Sequence, residues 1–126
     1  MKKSVLEIYS LLVCFIAVVW SVIAIGSGIY DVIRITNPTF TISGFEYNKY
    51  LSDDKFIEHL GKDRPIPSEE EIKRRREEGM KIALQEEGRL GFQSLVRNLI
   101  ALILNAIVFT LHWRLARRSR VLNQTA

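Results

Sequence analysis

The sequence predicts an all-α integral membrane protein: a two-span antiparallel helical hairpin with a charged helix outside the membrane. Three observations carry that expectation. Ile8 to Tyr30 is a run of 23 residues without a formal charge, and Asn98 to Trp113 is a second of 16. All 32 Asp, Glu, Lys and Arg residues of the 126-residue chain lie outside these runs. The two runs also carry stripes of small and amide side chains at helical spacing. A mean hydropathy near zero, made from two apolar blocks and one very polar block, is a membrane composition. It excludes a soluble single-core domain. The single Cys excludes an internal disulfide scaffold.

Residues 1–7 are read as a cytoplasmic N-terminus and residues 8–30 as the first span. A hydrocarbon core of about 30 Å needs about 20 helical residues, and this run exceeds that. A cleaved signal is the rival reading: Lys2 and Lys3 form a basic start, and Ala24-Ile25-Gly26 has small residues suited to cleavage. Glu7 interrupts the start and the apolar stretch outruns a signal core, which favours an uncleaved anchor. Tyr9 and Trp113 mark one interface, and Tyr30 and Phe92 the other. Trp20 falls outside this belt, near mid-membrane, against lipid or a partner helix.

Residues 31–67 form an extramembrane segment. Asn37-Pro38 stops the first helix, because the residue before proline is pushed out of helical geometry. Thr39 to Ser43 alternates apolar and polar and is read as a short strand or extended chain. A short helix is expected over 53–60, with Ser52 as N-cap, Asp53 and Asp54 in the first turn, and Gly61 at its end. Its Phe56, Ile57 and Leu60 need cover from a membrane surface or another chain. Arg64-Pro65-Ile66-Pro67 is a stiff connector.

Residues 68–94 form a charged helix leading into the membrane. Ser68 and Glu71 make a capping box. Glu69, Glu70, Glu71 and Glu77 each precede a basic residue by four positions, the favourable order on a helix. This rod is a docking arm or a solvated spacer; charge pairing serves either. Residues 95–115 form the second span, lengthened by Arg97 and Arg114 laying their stems along the helix.

The flanks set the orientation. Lys2, Lys3, Arg114, Arg117, Arg118 and Arg120 oppose Arg34, Lys81, Arg89 and Arg97, six against four, so both termini are expected in the cytoplasm. Residues 116–126 are a basic cytoplasmic tail. Arg114, Arg117, Arg118 and Arg120 are read as a lipid-facing anchor for anionic headgroups. Nucleic-acid binding is not expected, because the basic surface is small and lacks stacking aromatics.

The stripes supply the candidate site. Asn98, Ala101, Asn105 and His112 share one face of the second span, and Cys14, Ala17, Ser21, Ala24 and Gly28 one face of the first. Small residues let helices approach, and amides hydrogen-bond across the gap. In a hairpin Ser21 and Ala17 would lie near Asn105, and Cys14 near His112. The seam is read as intrachain, with a seam between chains and a polar pore as alternatives. His112 lacks a second membrane histidine for haem, and Cys14 with His112 gives two ligands where metals take three or four. No metal or cofactor is expected. No phosphate loop, metal-helix motif or nucleophile elbow appears, so the expectation is not an enzyme. It is a non-catalytic accessory or assembly subunit that packs against a membrane-protein partner or itself. The alternative is a self-assembling pore or transporter-like oligomer.

Leu111-His112-Trp113-Arg114-Leu115-Ala116-Arg117-Arg118 resembles the His-Trp-Arg-x-Ala-Arg close of a hydrophobic segment in some bacterial membrane domains of unknown function. Ile8 to Phe15 is similar to their first helix. The resemblance covers about a third of the chain and implies a bacterial inner-membrane setting and no activity. Those domains often have more than two spans, and this chain departs from them there.

Overall fold

The computed structural model describes residues 5–61 and 67–125, with side chains to 121. Among the described residues five helices follow one another: α1 (Val5–Thr36), α2 (Pro38–Thr41), α3 (Gly44–Leu51), α4 (Asp53–Leu60) and α5 (Glu69–Thr125). Among the described residues there is no strand. Two of the helices, α1 and α5, are long and apolar enough to cross a membrane. Contacts divide the chain into two compact units. The first comprises residues 1–29 and 95–126, the second residues 30–94.

In the first unit the buried positions of α1 are Glu7, Ser10, Cys14, Ala17 and Ala24, with Ser21 and Gly28 half-buried. They recur at alternating three- and four-residue steps, which keep one stripe of a helix facing one partner. The matching stripe of α5 holds the half-buried Leu95, Asn98, Leu102, Asn105, Phe109 and His112 and the buried Ala116 and Ser119. Specific contacts fix the pairing. Gly28 lies against Leu95, Cys14 Sγ approaches Phe109 O at 3.7 Å, Tyr9 meets the His112 ring edge-on at 6.0 Å, and Glu7 pairs with Arg120. As α1 is followed backwards, its partners fall later on α5. The large apolar residues point away from this seam: Phe15 is 66% exposed, Val22 64% and Ile103 61%.

The second unit corrects the expected strand. Thr39 to Thr41 is helical, and only Ile42 and Ser43 have extended backbone angles. Pro38 sits at the first position of α2, where its fixed φ suits a helix and its missing N–H costs nothing, and Ile42 N donates to Pro38 O at 2.9 Å. Ser43 then accepts from Glu46 N at 3.2 Å and starts α3, a helix that the sequence reading did not anticipate. Ser52 ends α3 and caps α4, accepting from Lys55 N at 3.4 Å. Gly61 ends α4 at φ +84° and ψ 147°, backbone geometry that side chains other than glycine strain to adopt.

Part of the apolar face of α4 is covered from within the chain, while Ile57 and Leu60 stay half-buried. Phe56 is buried, with its ring 6.0 Å from that of Tyr50, and Phe45 meets His59 edge-on at 5.2 Å. Ser68 opens α5 by accepting from Glu71 N at 3.4 Å. Glu71 does not complete the reciprocal half of the box; its carboxylate receives Arg75 at 2.5 Å. The connector at 64–66 and the side chains of Lys2, Lys3 and the last five residues lie outside the described residues.

Candidate functional site

The site expected from the sequence lies in the first unit. Cys14, Ala17 and Ala24 are buried on α1, with Ser21 and Gly28 beside them. Asn98, Ala101, Asn105 and His112 are all half-buried on α5. The polar groups of the two stripes find different partners. Ser21 Oγ donates to Ala17 O of its own helix at 2.8 Å, so its proton does not cross to α5. His112 Nδ1 lies 2.9 Å from Val108 O, which holds the ring in its own turn while its face meets Tyr9. Cys14 Sγ lies 3.7 Å from Phe109 O, one turn before His112 on α5. Among the described residues the Asn105 amide makes no hydrogen bond. Half-buried midway along the apolar run, it keeps donors and acceptors that lipid tails cannot serve.

The seam extends further than small-residue spacing revealed. Glu7 is buried, and its carboxylate receives Arg120 Nε at 3.0 Å. Ser10 is wholly buried, and its hydroxyl has no hydrogen-bond partner among the described residues. Ser119 Oγ turns back to Ala116 O at 3.0 Å. A signal for Glu7 was present in the sequence, a lone carboxylate immediately before an uncharged run, but nothing local links it to a residue 113 positions away.

Three arginines occupy the other side of the same turns. Arg114, Arg117, Arg118 and Val121 line an open hollow of about 690 Å³. Arg114, Arg117 and Arg118 are exposed, and among the described residues no carboxylate pairs with them. Arg120 is different: grouped with these three in the sequence, it is engaged by Glu7.

In the second unit, two arginines tie the elements together. Arg34 grips Glu87 with two parallel bonds, Nε to Oε1 at 2.8 Å and Nη2 to Oε2 at 3.1 Å. The hydrogen bond from Arg34, with a further one from Thr41, holds the Glu87 carboxyl below the usual glutamate range, against the opposing effect of burial. Arg76 donates to Asp53 Oδ1 at 2.7 Å and to the Tyr50 and Leu51 carbonyls at 3.1 and 3.4 Å. It thereby serves the open C-terminal carbonyls of α3 and the acidic start of α4 together. Two glycines of α5 are closely packed: Gly79 lies against the Tyr50 ring, and Gly91 lies against α1. A Cβ there would sit 2.8 Å from Arg34 Cβ and 3.1 Å from Asp31 O. At Gly28 it would meet only Leu95 at 3.7 Å, an ordinary contact.

Among the described residues, no group of three or more His, Cys, Asp and Glu residues is placed to hold a metal ion. No family model, curated protein or solved structure matches the chain.

Proposed function

We propose that this chain is a non-catalytic accessory or assembly subunit, inserted in a membrane as an antiparallel pair of spans built from α1 and α5. The packing supports insertion. Small and polar residues of α1 meet Leu95, Leu102, Phe109 and the polar groups of α5 in the seam, while Phe15, Val22, Ile29, Ile103 and Ile107 face outward. Water penalises such a surface, whereas hydrocarbon accepts it. The basic residues at the two ends favour cytoplasmic termini, and the tail resemblance favours a bacterial inner membrane.

The observation that carries the assembly role is Asn105. Its half-buried amide is unpartnered at the middle of the span, where a bare amide costs several kcal/mol in the simplest accounting and about 1 kcal/mol by measured interhelical bonds. A neighbouring membrane helix satisfies it. Trp20, 59% exposed near the middle of α1, offers an indole N–H with the same need.

The test is a photoreactive side chain at position 105, irradiated in native membranes. An adduct with a different protein supports the subunit reading. An adduct with a second copy moves the assignment to the self-assembling oligomer. Adducts with lipid alone overturn both.

A further inference from the structure

The outer face of the last turns of α5 is a discrete anionic-lipid site, we infer, in which Arg114, Arg117 and Arg118 hold the phosphate of one phospholipid headgroup. The inference rests on the membrane reading proposed above and sharpens it, from a diffuse basic anchor of four arginines to a built site of three.

Spacing is the first argument. Arg114, Arg117, Arg118 and Val121 stand at i, i+3, i+4 and i+7, which stacks them on one side of a helix. Ala116 and Ser119, buried among the same turns, mark the opposite side as the seam. The three guanidiniums therefore point away from α1, and they line a common hollow. The second argument is electrostatic. Arg120 has Glu7; the other three have no carboxylate among the described residues. Three uncompensated cations around one hollow need an anion.

Chemistry then selects the anion. Every basic residue from 114 to 120 is arginine, and none is lysine. Guanidinium presents paired N–H donors that match two phosphate oxygens at once, and it gives up its hydration more easily than ammonium. The position selects the source of the phosphate. Leu111, Trp113 and Leu115, immediately before and among the arginines, are exposed apolar residues. They offer acyl chains a surface beside the headgroup, and a free phosphate ion would leave that surface bare. Val121 adds an apolar edge to the hollow itself.

Trp113, one helical turn before Arg117, is a built-in reporter. The full chain carrying Trp20→Phe is reconstituted in phosphatidylcholine vesicles. These contain a minor fraction of either phosphatidylglycerol or phosphatidylcholine brominated on the acyl chains, and quenching of Trp113 is compared. Stronger quenching by the anionic lipid is expected. The preference should fall about fivefold with Arg117→Gln or Arg118→Gln, the effect of one charge near an anionic surface. It should change little with Arg120→Gln, which removes the same charge from the same tail. Equal quenching by the two lipids overturns the site. So does an equal loss in Arg120→Gln, which would mark a diffuse attraction. Abolition of the preference by inorganic phosphate, at ionic strength matched with chloride, makes free phosphate the ligand and overturns the lipid. Flotation with the vesicles is measured on every sample. A chain that floats yet shows no preference sinks this site alone, while a chain that fails to float sinks the membrane reading beneath it.

Discussion

Glu7 and Arg120 meet at 3.0 Å although 113 positions separate them in the chain. The two partners are unequal. The Glu7 side chain is 6% exposed and that of Arg120 is 56% exposed. The carboxylate has lost most of its water and depends on the guanidinium, whereas the guanidinium still has solvent. Removing either partner should therefore have different consequences. Arg120→Ala leaves a buried carboxylate without its donor and should destabilise the first unit by about 1–3 kcal/mol. Glu7→Gln keeps an acceptor for Arg120 and should cost about 1 kcal/mol or less. Thermal unfolding of the purified chain in detergent measures both. An Arg120→Ala variant as stable as Glu7→Gln would show that the carboxylate does not rely on its partner.

In the second unit α1 and α5 approach each other closely at a glycine. A methyl group at Gly91 meets Arg34 Cβ at 2.8 Å and the Asp31 carbonyl at 3.1 Å, and neither the backbone oxygen nor a Cβ can swing aside. Gly88 stands three residues earlier on α5 with nothing within 4 Å. The two positions form a matched pair of experiments on one helix. Gly88→Ala gains helix propensity without a clash and should stabilise by up to about 1 kcal/mol. Gly91→Ala has the same gain but must part α1 from α5, at about 1–3 kcal/mol, so its net effect should be destabilising. Melting temperatures of the two variants should move in opposite directions. A shift of the same sign in both would show that the approach at Gly91 is loose.

These cases show what was legible from the chain and what was not. Local chemistry was readable. Ser52, Gly61 and Ser68 mark helix ends through bonds no more than four residues long, and the structure ends or starts helices at each. The steps from Cys14 to Gly28 identify the inward stripe of α1, because burial of one face follows from helical period alone. Thr39 to Ser43 was misread because its alternation mimics a strand, and α3 was not anticipated because Pro38 and Ser43, which start α2 and α3, were not weighed as helix starts. Arg34 with Glu87, Arg76 with Asp53, and Glu7 with Arg120 were out of reach for another reason. Their spacings of 53, 23 and 113 residues have no period. Only the meeting of separate helices creates them. The role of Gly91 was out of reach for the same reason, since it lies in what α1 brings against it.

The Arg34–Glu87 clasp should give the second unit an acid limit. Glu87 titrates below its ordinary value because Arg34 and Thr41 donate to its charged form. A carboxylate depressed on folding contributes its stability in full above the unfolded value of about 4.3. It loses that contribution as pH falls toward and through the lower folded value. Arg34, raised by the same bond, stays charged throughout. Amide exchange in α2 and the adjoining turns of α1 and α5 should therefore accelerate below about pH 4. In Glu87→Gln the acceleration from this group should be absent, because the pair is already weakened at neutral pH. An unchanged acid profile in that variant would assign the limit to another carboxylate.

Arg76 is the second tie, and it tests whether α3 and α4 depend on α5. Its guanidinium reaches three oxygens at once, one on Asp53 and two at the end of α3. A lysine keeps the charge but offers a single ammonium on a flexible stem, so it cannot serve the carboxylate and both carbonyls together. Arg76→Ala should destabilise the α3–α4 pair by about 1–2 kcal/mol, and Arg76→Lys by about half of that. The pair's own contacts, Phe45 on His59 and Phe56 on Tyr50, remain in both variants. Loosening should therefore appear first as faster exchange at the last amides of α3 and the first of α4, before any change in the thermal unfolding of the whole chain. If exchange there is the same in wild type, Lys and Ala variants, the two short helices hold their places through Phe56 and Tyr50 alone. The guanidinium would then be a surface decoration rather than a tie.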